Sequence, residues 1–135
     1  MLLGGSPYGC QLLNNSGTVC GTPPPGPMNN LSTWQELNSR IFKPYMQNRI
    51  KRGLIDDPAS FPHKPVFLYS GISDTVVNQV IMKAVERQLF DLGVKNVSTE
   101  FSINSEHAWI VDDKICPIPR KTNKSRCCGN KVKQI

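Results

Sequence analysis

Two side chains in this sequence have the types and the flanking residues to move a proton together. His107 stands in FSINSEHAWIVDD, residues 101–113, just past an apolar-polar alternation and ahead of Asp112 and Asp113. Asp74 stands 33 residues earlier, in SGISDTVVN at residues 70–78. A carboxylate that accepts a hydrogen bond from one imidazole nitrogen fixes the tautomer, and it stabilises the imidazolium formed when the other nitrogen takes a proton from a serine hydroxyl. Such a pair needs a nucleophile, and a G-x-S-x-G turn is a common carrier of one. No such pentapeptide occurs in the 135 residues. Gly71-Ile72-Ser73-Asp74 lacks the closing glycine and belongs to the acid's own turn, and Ser6 in GGSPYGC reads as a turn residue. Each candidate also has a purely structural reading. An Asp after a strand commonly binds nearby backbone N–H groups or caps a helix, and a single histidine is commonly structural or exposed. His63, between Pro62 and Lys64, reads as an exposed loop residue. Trp109 suits the wall of an apolar substrate pocket or plain core.

Acid and base meet only if the chain folds them to one place, so the surrounding elements matter most. Pro65-Val66-Phe67-Leu68-Tyr69 is a continuous apolar run of strand length, bounded by Pro65 and by Ser70-Gly71. It predicts a strand buried on both faces of a parallel sheet. Residues 78–92 place Ile81, Ala84, Val85, Leu89 and Leu92 on one helical stripe, with Asn78 as cap and Gly93 as stop. Val97 to Ile103 alternates apolar and polar residues, which predicts a second strand. Strand, helix, strand is a βαβ crossover, right-handed when both strands join one sheet. It sets Asp74 and His107 in turns at the carboxyl edges of neighbouring strands, where open α/β sheets build their sites. Upstream, Ser32 with Gln35 three residues on predicts a capped helix start. That helix carries Trp34, Leu37, Ile41 and Phe42 until Pro44 interrupts it. A second helical piece runs to Arg52 and stops at Gly53. Residues 1–30 contain GGSPYG, NNSG and Thr22-Pro23-Pro24-Pro25-Gly26-Pro27, and read as an irregular Pro-rich loop or linker.

With 135 residues, 39% of them hydrophobic, the chain suits one domain. Its formal charge of +6 is gathered at one end. Seven of the 16 Lys and Arg lie in residues 114–135, which hold no acid, and nine basic against ten acidic residues precede them. A basic tail without interleaved aromatics reads as a solvated, flexible end and argues against nucleic-acid binding. No apolar stretch is long enough to span a membrane. Met1-Leu2-Leu3 runs straight into Gly4-Gly5, so these residues hold no signal peptide. Five cysteines, Cys10, Cys20, Cys116, Cys127 and Cys128, predict an oxidising compartment. The odd number leaves at least one unpaired, and spacing leaves the pairing open. Structural zinc sites show paired C-x-x-C or Cys/His spacing, which these scattered cysteines do not offer. Secreted-style cysteines without an export signal raise the expectation that the natural amino terminus lies upstream of Met1.

Four segments together, GGSPYGC at 4–10, GLIDDPASF at 53–61, VFLYSGISDTVVN at 66–78 and Leu92 to His107, resemble the carboxyl-terminal half of poly(3-hydroxybutyrate) depolymerases, in the same order. That family comprises secreted serine esterases of α/β-hydrolase fold that cut polyester chains. The similarity covers residues 1–113, and its specificity comes from GGSPYGC and IDDP combined with the G-x-x-D-x-V-V turn around Asp74. The resemblance implies an α/β class with a partial α/β-hydrolase fold over residues 1–113, followed by the basic tail at 114–135. It implies Asp74 as triad acid, His107 as triad base, an extracellular location, and a polyester or small-ester substrate. No metal or cofactor belongs to that chemistry. The order acid, then histidine, is also that of α/β-hydrolases in general. The family's serine elbow precedes the point equivalent to GGSPYGC, and neither the elbow nor the loop expected to supply one oxyanion donor occurs here. Past His107, Cys116 corresponds to the family's glycine- and cysteine-containing segment, whereas PIPRKTNKSRCCGNKVKQI departs from it. The expected function is a partial serine esterase that hydrolyses hydroxyalkanoate esters when complete, and that carries acid and base without a visible nucleophile. Two other readings stand beside it. One is a non-catalytic binding or interaction protein that reuses the half-fold and presents the apolar surface left by absent strands; the other is a truncated gene product. Half of a parallel sheet also predicts an open strand edge and poor solubility when expressed alone.

Overall fold

The computed structural model describes residues 2–3, 5–13, 16–23, 25–57 and 63–107. Trp109, Cys116, Cys127, Cys128 and the whole basic tail lie outside the described residues. In chain order the elements are β1 (Leu2–Leu3), α1 (Ser16–Val19), α2 (Leu31–Leu37), a π-helical turn (Asn38–Phe42), α3 (Lys43–Lys51), β2 (Val66–Tyr69), α4 (Gln79–Asp91) and β3 (Val97–Glu100). The architecture is mixed α/β, with the three strands in one parallel sheet of order β1-β2-β3. Leu2 and Leu3 pair with Leu68 and Tyr69, and Val66 to Tyr69 pair in register with Val97 to Glu100. The crossover from β2 to β3 is α4, as the strand-helix-strand pattern predicts.

The helix α4 forms where cap, stripe and stop agree. The Asn78 side chain accepts the Val80 N–H at 3.0 Å, supplying one of the acceptors a helix start lacks. Ile81, Met82, Ala84, Val85 and Gln88 are buried along it, and Gly93 at φ 84° takes the left-handed position beyond its end. Leu92 is only part-buried, so the stripe ends a turn earlier than the sequence predicts. The core holds Leu68 from β2, Ile81, Met82 and Val85 from α4, and Trp34 and Phe42 from the helical stretch before them. Full burial of one such side chain contributes about 1.5–3 kcal/mol.

The upstream helix departs from expectation at both marked positions. Its N-cap is Asn30, not Ser32: the Asn30 Oδ1 accepts both the Ser32 N–H at 3.0 Å and the Ser32 hydroxyl at 2.9 Å, and the helix begins at Leu31. Pro44 does not interrupt the helix. In the π-helical turn the Lys43 N–H reaches back five residues to the Asn38 carbonyl, and Pro44 enters in the first turn of α3, where no N–H is required of it. The wider turn thus carries the chain through a proline that would break a regular helix.

Two further expectations are corrected. The second face of β2 is only partly covered: Leu68 and Tyr69 are buried, but Phe67 is 39% exposed. The amino-terminal region is no linker. Cys10 is buried in the core and joined to Cys20 with Cα atoms 5.9 Å apart. The buried Gln88 amide grips the Tyr8 backbone from both sides, accepting its N–H at 2.7 Å and donating to its carbonyl at 3.0 Å. The same amide donates to Asn38 Oδ1 at 3.0 Å, and Asn38 in turn donates to Asp91 at 2.8 Å. Local composition reads these residues as loop because they lack periodicity, while a side chain 80 residues away anchors them.

Candidate active site

Asp74 and His107 come together. Parallel pairing of β2 and β3 brings the two following turns to the same sheet edge, and the His107 Nδ1 lies 3.0 Å from the Asp74 Oδ2. The other carboxylate oxygen is already used: Oδ1 accepts the Val76 N–H at 2.9 Å and the Val77 N–H at 2.7 Å. The two oxygens of Asp74 thus have separate partners, the turn's backbone for one and the imidazole for the other. Oδ1 closes the turn, which orients Oδ2 toward the imidazole. The Asp74 side chain is 4% exposed and that of His107 40% exposed. A carboxylate offers acceptors only, so the proton between them sits on Nδ1 and the lone pair of the neutral ring on Nε2. That is the tautomer required of a general base supported by an acid.

Several groups hold the two turns against each other. Gly71 packs so tightly on Ser105 that any Cβ there would overlap the Ser105 backbone carbonyl, a close approach that glycine alone permits. Ser73 N–H donates to the Ser105 carbonyl at 3.1 Å, and Ile72 N–H to the Ile103 carbonyl at 2.9 Å, so pairing continues past the strands into the site. The Ser73 hydroxyl bonds Asn104 Oδ1, and the Tyr69 hydroxyl bonds that of Ser105. Gln79, in the first turn of α4, donates to both the Ser70 carbonyl at 3.0 Å and the Phe101 carbonyl at 2.8 Å, tying the ends of β2 and β3 together. At the end of β3 the Ser102 hydroxyl, and then its backbone N–H, hold the Glu100 carboxyl below its ordinary pKa. The alternation predicted to continue the strand to Ile103 instead ends at Glu100, where this local turn begins.

Sequence reasoning locates the pair and misses its supports. Gly71 is legible as the end of a strand but not as a contact surface for Ser105. Gln79 carries no signal at all, since a glutamine at a helix start is common for many reasons. His63 is exposed, as its loop position predicts. Trp109, expected as pocket wall or core, lies outside the described residues. Among the described residues no three or more His, Cys, Asp or Glu side chains gather at metal-binding distance, and no helix is long and apolar enough to cross a membrane. Two apolar side chains on the acid turn, Ile72 and Val76, stand 59% and 54% exposed beside the pair. Compared with known proteins, the chain matches no family model, no curated protein and no solved structure.

Proposed function

We propose that Asp74 and His107 are the acid and base of a serine-esterase triad, on an α/β-hydrolase half-fold related to polyhydroxybutyrate depolymerases, and that the nucleophilic serine is supplied by polypeptide outside these 135 residues. The observation that carries the reading is the 3.0 Å contact between a buried carboxylate and a half-exposed imidazole. It lies at the carboxyl edge of adjacent parallel strands, and the sequence has no G-x-S-x-G elbow. In the complete site His107 Nε2 takes the proton of the serine hydroxyl as its oxygen attacks the ester carbonyl, and Asp74 stabilises the imidazolium. The alcohol leaves with that proton, and the same nitrogen then activates the water that releases the hydroxy acid. The Cys10–Cys20 disulfide supports an extracellular setting.

The test begins with the coding DNA upstream of Met1, read for an in-frame G-x-S-x-G elbow. A chain extended to include it is expected to hydrolyse p-nitrophenyl butyrate and short hydroxybutyrate oligomers, with turnover abolished by His107→Ala. The 135 residues alone are expected to be inert. An extended chain that carries the elbow and hydrolyses neither ester overturns the proposal. So does activity of the 135 residues alone that His107→Ala removes, because the nucleophile would then lie within them. A second reading, a non-catalytic interaction protein on the same half-fold, is favoured by the exposed Phe67 on the sheet. An upstream stop codon together with a specific partner recovered by co-purification would support it.

A further inference from the structure

The geometry points to Thr22 as a positioning residue for the Asp74–His107 pair, acting from the fixed point that the Cys10–Cys20 disulfide provides; this rests on the reading of the pair as acid and base. The Thr22 hydroxyl donates to the Thr75 carbonyl at 2.5 Å, with the Val76 carbonyl sharing the proton at 3.0 Å. Those two carbonyls belong to the two peptide units whose N–H groups, on Val76 and Val77, hold Asp74 Oδ1. One hydroxyl therefore addresses the far ends of both units that orient the carboxylate. A hydrogen bond accepted by a peptide carbonyl fixes the plane of that unit and strengthens its N–H as a donor. The neighbouring Gly21 carbonyl accepts the Asn78 N–H at 3.0 Å, so the same short strap also meets the start of α4. Two residues earlier the strap is bonded covalently to Cys10, which is 1% exposed within the core. Cys20 and Gly21 are part-buried and Thr22 is exposed, so the strap grips the turn from outside without filling the core.

The spectroscopic signature of this role is the His107 tautomer. Nitrogen-15 NMR of the purified protein at alkaline pH should show the Nδ1–H form of His107, with a downfield and slowly exchanging imidazole proton. Thr22→Val removes the hydroxyl at constant shape and should abolish that proton signal, leaving mixed tautomers. Thr22→Ser should retain it, and the α4 amides should be unaffected in both. Retention of the wild-type signal in Thr22→Val, or its loss in Thr22→Ser, overturns the proposal. Should Thr22→Val fail to fold, amide exchange of the wild-type protein decides. A dithiol reduces the Cys10–Cys20 bond to two thiols and is itself oxidised to a cyclic disulfide. The Val76, Val77 and Asn78 amides should then exchange about tenfold faster together while α4 stays protected. No change at those three amides, or loss of α4 protection along with them, overturns the proposal. None of these readouts needs turnover, so an extended chain inert toward esters would sink the esterase reading and leave the strap standing.

Discussion

Dividing Asp74 between two tasks makes a prediction that separates them. Asp74→Ala removes the acceptor for the Val76 and Val77 N–H groups as well as for His107 Nδ1. Asp74→Asn keeps an oxygen for the two backbone donors and loses the charge and the acceptor that faces His107. The side chain is 4% exposed, so water does not readily replace it. Hydrogen bonds to a charged group contribute about 1.5–3 kcal/mol each, and taking the lower end for the two backbone bonds gives roughly 3 kcal/mol lost in the alanine variant. The asparagine variant is expected to lose about 1 kcal/mol, because neutral bonds of this kind retain most of that contribution. At about 4 °C per kcal/mol for a chain of this size, Tm should fall by about 12 °C in Asp74→Ala and about 4 °C in Asp74→Asn. The imidazole responds in a different order. In Asp74→Asn the backbone donors keep the amide oxygen, so the amide NH2 turns toward Nδ1, which must then accept, and the ring proton moves to Nε2. That places a proton on the nitrogen that the proposed mechanism uses as base. Circular-dichroism melts and His107 nitrogen-15 NMR read the two effects separately. Equal melting of the two variants, or a wild-type tautomer in Asp74→Asn, would refute the assignment of one oxygen to the turn and one to the histidine.

Two other substitutions probe the frame around the pair. Gly71→Ala sets a methyl against the Ser105 backbone, which has no flexible end to move aside. It should cost about 1–3 kcal/mol and part the acid turn from the histidine loop; an unchanged denaturant midpoint would contradict that contact. Gln88→Leu leaves the Tyr8 N–H, the Tyr8 carbonyl and Asn38 Oδ1 without the amide they share. About 3 kcal/mol should be lost, with faster exchange at the Tyr8 amide, and a Tyr8 amide as protected as before would show that the anchor lies elsewhere.

The local path of the chain around the site is legible in the sequence because local rules are sufficient for it. An apolar run ended by Ser70-Gly71, a stripe capped by Asn78 and closed by Gly93, and an alternation from Val97 are each set by neighbours within a few residues, and together they order acid before histidine across a crossover. Local rules mislead where a partner within reach is equally plausible. Ser32 and Asn30 can both cap the helix after them, and only the geometry of the turn selects Asn30. Pro44 breaks a regular helix but not one that widens into a π-helical turn before it.

What the sequence determines by itself is which residue types stand at which turn, and that α4 returns the chain to a strand beside the first. Only the tertiary structure decides the rest. It joins Cys10 to Cys20 among open alternatives, docks the Pro-rich amino-terminal region on Gln88, and brings Thr22 to the acid turn across more than 50 residues. It also sets which oxygen of Asp74 faces His107. The physical reason is range: capping and periodicity act between residues nearby in the chain, whereas these contacts join residues far apart in sequence and exist only once the core around Leu68 and Ile81 has closed and brought them together.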